Sequence, residues 1–326
     1  MVLWDNGCVV TGGAGFIGSH LARRLLDDGN DVLVVDNLSS GSMRNIEDMI
    51  GRMGFEFRNL DLRDPEAFKA VAEGRDAVFH LAANMGGIGW ISSVGADIMR
   101  DDLRMNVNFL EACRECDVLW ALYSSSACVY PAGRQHSPDV VPLKESDAVP
   151  AEPDQFYGWE KLATEKMCDA YNKDYDLEVR VLRYHNIFGP YSSWDERGKA
   201  PMQLMYKAIR HPDPPFEIWG DGKQTRSFCY VDDAVEGTLL RIESDYLEPI
   251  NIGSDRLVTI DELARIIIEA SGKEIVARYD LTKPQGVRGR NADLSLARNV
   301  LGWEPKISLE EGIKRTYDWL SRKLSA

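Results

Sequence analysis

Three side chains in two short segments could together move a proton on and off a hydroxyl group. The segment SSSACVYP at 124–131 supplies Ser126, and YGWEK at 157–161 supplies Tyr157 and Lys161, four residues apart and so on one face of a helix. An ammonium beside a phenol lowers the phenol pKa and can orient a ribose. The tyrosinate then takes or returns a hydroxyl proton while the serine holds the same oxygen. Taken alone, Tyr157 and Lys161 would read as a pair on a helix surface, so the decision falls to the rest of the chain.

A second constellation precedes them. TGGAGFIG at 11–18 places Gly12, Gly15 and Gly18 where an apolar run ends and an amphipathic stretch begins. Glycines there permit a tight turn, close approach of backbone to a pyrophosphate, and packing of helix on strand. Asp36 closes the next apolar run at the distance expected of an acceptor for ribose hydroxyls, and its charge opposes the extra phosphate of NADP. The expected cofactor is NAD, which would exchange a hydride with the alcohol carbon served by Ser126, Tyr157 and Lys161.

These residues need a scaffold, and the pattern supplies one. Short β-branched runs at about 7–11, 31–36, 55–59, 76–80, 118–124 and 178–184 alternate with amphipathic stretches, which predicts βαβ units: a Rossmann-type, doubly wound parallel sheet of the α/β class. A seventh strand is expected at 249–253. From about residue 186 the alternation gives way to Pro and Gly (IFGPY, HPDPP, GDGKQT), which predicts a smaller, irregular domain. The expected division is 1–185 for the dinucleotide, with 228–253 returning to it, and 186–326 for the substrate. Helices return near 259–271, where Thr259 and Glu262 form a capping-box signature, and near 308–324.

Composition narrows the function class. With 38 Lys and Arg against 52 Asp and Glu, the net charge is −14, which argues against nucleic acid as a partner; an anionic ligand would need a local basic pocket. No apolar run approaches the length that crosses a bilayer. MVLWDNG leads directly into a strand with no room for a leader peptide, so cytoplasmic residence is expected. The six cysteines read as reduced thiols. Cys113 and Cys116 form a CxxC in a helical stretch with no second pair at zinc spacing, and no metal is expected.

The GxxGxxG spacing, the Ser, Tyr and Lys trio, RYHNIFGP at 183–190 and RSFCYVDD at 226–233 resemble the extended short-chain dehydrogenase/reductase family, specifically its NAD-dependent nucleotide-sugar epimerases and dehydratases. The resemblance covers essentially the whole chain. It implies a cofactor site of Gly12, Gly15, Phe16, Ile17, Gly18, Asp36, Asp61, Leu62, Leu81, Ala82, Ala83, Tyr157 and Lys161. It also implies a homodimer through helices near 98–115 and 157–175.

Within that family the reaction depends on the residues after Ser126. A dehydratase is expected to carry an Asp-Glu pair there, and this chain has Ala127 and Cys128. A thiol two residues past the serine is a competent carbon base when cations lie nearby. NMGGIGWISS at 84–93, GKAP at 198–201, WGDGKQTRSF at 219–228 and GVRGRN at 286–291 resemble the branch that epimerises a GDP-hexose beside C4. That resemblance implies Cys128 and Lys199 for epimerisation. It also implies substrate contacts at Gly86, Ser126, Ala127, Cys128, Asn186, Lys199, Lys207, Gln224, Arg226 and Arg288. Arg226, Arg288 and Arg290 are candidates for gripping a diphosphate. The acidic loop YSSWDERG at 191–198 departs from the branch pattern and leaves base and hexose open. A 4-epimerase, and a non-catalytic NAD-sensing module, remain as alternatives.

Overall fold

Runs that are apolar at every position become strands buried on both faces, as a parallel sheet covered on two sides requires. In the structure, a computed structural model that describes residues 3–195, 197–283 and 285–325, β1 (Cys8–Thr11) and β2 (Val32–Asp36) are buried throughout. β3 (Phe55–Asn59), β4 (Ala77–His80), β5 (Trp120–Ser126), β6 (Val179–Tyr184) and the strand Ile250–Ile252 complete one seven-stranded parallel sheet. Its order is Ile250–Ile252, β6, β5, β4, β1, β2, β3, with β3 as a half-exposed edge. The expected strands agree to within two residues at each end. The consequential difference is that β5 runs on to Ser126, so that residue stands at the strand's very end.

Alternation along the strands divides the core. Cys8 and Val10 face one side with α1 (Phe16–Asp27), while Val9, Leu33 and Val35 face the other. That second side is covered by α2 (Pro65–Ala72), α4 (Gly95–Glu115) and α5 (Phe156–Tyr175), with the one-turn α3 (Ile88–Ile91) in the loop before α4. The chain leaves β1 toward β2 and β3, then returns to β4 on the opposite flank of β1. A crevice therefore opens at the carboxyl ends of β1 and β4, the position where open α/β sheets take ligands.

The second half contributes α6 (Ala200–Arg210), α7 (Val231–Ile242), α8 (Ile260–Ser271) and α9 (Leu309–Ser325). α7 lies against α1 and β6, while α8 and α9 pack on each other through Leu263, Ile267, Ile313 and Leu320. Thr259 caps α8 as expected, its side chain accepting the Glu262 N–H at 3.0 Å. Thr225–Ser227 pairs with Leu257–Thr259 and Gly289–Arg290, and Glu217–Trp219 pairs with Arg278–Asp280, which brings distant basic residues over the crevice. Among the described residues no helix is long and apolar enough to cross a membrane. All six cysteines are free; Cys113 is buried in α4 and Cys116 caps its end.

Candidate active site

A cavity of about 1530 Å³ runs along the crevice and under the second-half segments. That exceeds the roughly 300–1,000 Å³ of a site for one drug-sized ligand, so it has room for a dinucleotide and a second nucleotide together.

At one end the wall is backbone. Gly12 adopts φ +65°, and a Cβ there would sit 2.9 Å from the Ala82 backbone; a Cβ on Gly18 would sit 2.3 Å from the Gly12 carbonyl oxygen. Gly15 begins α1 without any side-chain cap, which leaves the first N–H groups of the helix facing the cavity, a pyrophosphate cradle. Asp36 Oδ1 accepts the Leu38 N–H at 2.8 Å and Oδ2 accepts the Ala14 N–H at 3.1 Å, so the carboxylate is fixed with lone pairs left over. Burial raises its pKa and the two backbone bonds oppose that rise. These features fit NAD. Phe16, Ile17, Leu62, Leu81, Ala82 and Ala83 also line this end. Asp61 does not: its carboxylate is forked onto Arg63, with Oδ2 at 2.5 Å from Nη2, and it stays off the cavity wall.

At the other end Ser126 terminates β5. Its hydroxyl accepts the Cys128 N–H at 3.2 Å, which curls residues 127–129 into a tight turn. The Tyr157 phenol lies beside Ser126, whose hydroxyl opposes the rise in the phenol pKa. Gly158 explains the closeness, because a Cβ there would sit 2.1 Å from the Cys128 carbonyl oxygen. Gly158→Ala is therefore expected to push α5 off the turn, lowering turnover at least about tenfold and stability by ~1–3 kcal/mol. Turnover together with urea unfolding checks this; no change in either would show that the contact does not set the site.

Lys161 departs from the expectation of a lysine on the cavity wall. It is 1% exposed, with its ammonium 4.8 Å from the Tyr123 ring centroid, 5.5 Å from that of Tyr157, and 3.5 Å from Glu160 Oε1. The Tyr157 pKa is accordingly not depressed here. Burial raises it first, and the charges of Glu160, Cys128 and Asp102 add to the rise.

Cations surround the thiol. Arg290 Nη1 donates to Cys128 Sγ at 3.5 Å while its Nε is held by Gln135 Oε1 at 2.6 Å, so this guanidinium is placed on the thiol rather than left free for phosphate. Lys199 precedes α6, and burial lowers its pKa, with Cys128 opposing and Arg290 assisting that shift. Arg226 is held by the Thr225 and Val287 carbonyls, both at 2.7 Å, and burial with the neighbouring Arg290 charge pushes its pKa down to about 9. Crowded cations of this kind mark a place for an anion.

Gly86, Ala127, Asn186, Lys207 and Gln224 also line the cavity. Asn186, at φ +43°, donates to the Ser227 carbonyl, and Lys207 donates to the Glu217 carbonyl at 2.7 Å. Among the described residues the buried Oε1 of Gln224 and Oδ1 of Asp154 have no donor, as expected of groups that meet a polar ligand. Arg288 is not brought to the wall: Asp221 holds its fork at 2.9 and 3.1 Å. Contacts that sequence reasoning did not find close the roof, where Arg197 stacks 3.8 Å over Trp90 and its carbonyl accepts the Gly87 N–H at 2.9 Å. Glu196 of the same loop lies outside the described residues.

A doubly wound sheet with a glycine cradle and a serine-tyrosine hydroxyl pair defines a dinucleotide-dependent site for oxidising and reducing an alcohol. The model of the NAD dependent epimerase/dehydratase family matches residues 8–253, and the chain belongs to that family. It is 45% identical over 316 residues to GDP-mannose 3,5-epimerase of Arabidopsis thaliana, covering 97% of this chain and 82% of the relative. Among solved structures, UDP-glucose 4-epimerase of Thermotoga maritima, with UDP-glucose, superposes with a TM-score of 0.87 at 31% identity, covering 97% of this chain and 99% of that one. UDP-glucuronic acid 4-epimerase of Bacillus cereus, solved with UDP-glucuronic acid and NAD, gives a TM-score of 0.86 at 27% identity with the same coverage. The enzyme is NAD-dependent.

Proposed function

We propose that this protein is a GDP-mannose 3,5-epimerase, converting GDP-mannose to GDP-L-galactose through a transient 4-ketone, with GDP-L-gulose formed when C5 alone inverts. The observation that carries this reading is the setting of Cys128: its thiol touches Arg290 and is electrostatically coupled to Tyr157, Lys199 and Arg226. A simple 4-epimerase has no use for a carbon base there. The similarity to the Arabidopsis enzyme supports the same substrate.

When bound, NAD supplies the hydride acceptor and donor that interconvert the C4 alcohol and ketone. Ser126 holds the C4 oxygen while Tyr157 takes its proton and later returns it, with Lys161 behind the phenol. The ketone acidifies the hydrogens on C3 and C5. Cys128 removes one of them, and Lys199, whose lowered pKa suits proton exchange, delivers a proton to the opposite face. Arg226 grips the diphosphate, joined by Arg288 once substrate draws it from Asp221. In this reading residues 1–185 with 228–253 carry the dinucleotide and 186–326 the sugar nucleotide. Val107 on α4 and Phe156 and Trp159 on α5 are exposed apolar residues suited to a homodimer through these helices.

A panel of GDP-, UDP-, CDP- and dTDP-hexoses tests the proposal, with the sugars recovered and identified by nuclear magnetic resonance. GDP-mannose should yield epimers at C3 and C5. Conversion of a UDP-hexose at C4 alone would replace this reading with a 4-epimerase.

The Asp36 carboxylate supports a specific expectation for the cofactor. Asp36→Asn keeps the shape and removes the charge, so the preference for NAD over NADP should fall about tenfold or more. Turnover measured against each cofactor checks this, and a wild-type preference for NADP would contradict it.

A further inference from the structure

Beside Lys161 lies a buried polar layer that the mechanism does not use. Asp102 of α4 and Glu160 of α5 are both 0% exposed. Asp102 Oδ1 accepts the Asn84 N–H at 2.7 Å, and Glu160 Oε2 accepts Asn106 Nδ2 at 3.0 Å. Among the described residues neither of the other two buried carboxyl oxygens accepts a hydrogen bond: Asp102 Oδ2 has no donor and Glu160 Oε1 has only the Lys161 ammonium, 3.5 Å away in an ion pair, although the two carboxyl groups are hydrogen-bonding neighbours. Lys161 is the cation that acts on both. Around them His80, held neutral by burial, contacts Asn106 Oδ1 through Nε2 at 3.0 Å. Burial raises the pKa values of the Tyr123 and Tyr157 phenols, and Asn106 donates to Thr164 Oγ1 at 2.8 Å. Asp101 turns outward to Arg63 and Arg100.

Two ionised carboxylates here would put two buried negative charges, on neighbouring groups, against one ammonium. A single proton between them supplies the missing donor and leaves one charge opposite one charge. We propose that Asp102 and Glu160 share one proton at neutral pH and act as a positioning pair that holds the Lys161 ammonium behind Tyr157. The proposal rests on the reading of Tyr157 and Lys161 as the hydroxyl relay. The same pair steadies the substrate loop, because Asn84, anchored on Asp102, accepts Trp90 Nε1 at 3.2 Å.

Burial, chiefly, raises the Glu160 pKa, with Lys161 opposing and Asp102 reinforcing the rise. The folded protein therefore binds this proton more tightly than the unfolded chain does. The stability it contributes is full below the ordinary carboxyl range and declines as pH rises through the raised value.

Infrared spectroscopy of the whole enzyme tests the shared proton without reference to activity. Wild type at neutral pH should show the carbonyl stretch of a buried, un-ionised carboxylic acid, shifted in heavy water and lost in both Asp102→Asn and Glu160→Gln, since each leaves one ionised carboxylate beside Lys161. Absence of the band in wild type, or its survival in either variant, overturns the proposal. Kinetics supply the second arm: the double variant, which strips Lys161 of all counter-charge, should lose at least ten times more turnover than the product of the single losses. Multiplicative losses overturn the positioning role. An intact band in an enzyme that does not epimerise would separate failure of the functional reading from failure of this one.

Discussion

Cys128→Ala is expected to stop exchange of carbon-bound hydrogen while leaving oxidation at C4 in place. The thiol contacts Arg290 and is not part of the neighbouring Ser126 and Tyr157 hydroxyl pair, so its removal deletes the carbon base and spares the hydroxyl relay. Loss of a positioned base costs about 10²–10⁴ in rate. Incorporation of solvent deuterium at C3 and C5 should fall by that factor, while reduced cofactor, followed by its absorbance, still accumulates when substrate is added. The turn should survive, because it is held by backbone and by the Ser126 hydroxyl rather than by the thiol. Exchange at the wild-type rate would reduce Cys128 to a packing residue.

Tyr157→Phe is expected to remove both activities together, since neither carbon is acidic before the C4 ketone forms. The ring remains to fill its buried place, and only the oxygen beside Ser126 is lost. Reduced cofactor and deuterium exchange should each fall by about 10²–10⁴. Exchange that persists without oxidation would mean that the acidity of these hydrogens does not depend on the ketone. The order of the two variants is informative: Cys128→Ala separates the two readouts, whereas Tyr157→Phe does not.

Much of the scaffold was legible because its signals are local. Strands buried on both faces announce themselves as apolar runs, as CVV does in β1 and VLVV in β2, while the half-exposed edge β3 falls at Phe55–Asn59 as expected from the alternating FEFRN. The glycine turn is legible because Gly12 and Gly18 sit where backbone meets backbone, and no other residue fits. The Gly158 contact left a trace too, as the residue after Tyr157, but its partner, the Cys128 carbonyl, lies 30 positions earlier in the chain. What was not legible is the choice each charged side chain makes among distant partners. Arg288 and Arg290 are two residues apart, yet one turns outward to Asp221 and the other inward to Gln135 and Cys128. Asp61 is taken up by Arg63, an exposed local fork of the kind that nothing in the sequence pattern distinguishes from a ligand contact. Asp102 and Glu160 meet only because α4 packs on α5, and Glu160 there stands 3.5 Å from the Lys161 ammonium.

The central claim is that carbons beside a transient C4 ketone are deprotonated at this site. The direct measurement is incubation of the wild-type enzyme with GDP-mannose in heavy water, followed by nuclear magnetic resonance of the recovered sugar. Deuterium should appear at C3 and C5, with protium retained at C4, because the hydride removed from that carbon is the one returned to it. A product inverted at C4 with no deuterium at C3 or C5 would contradict the account.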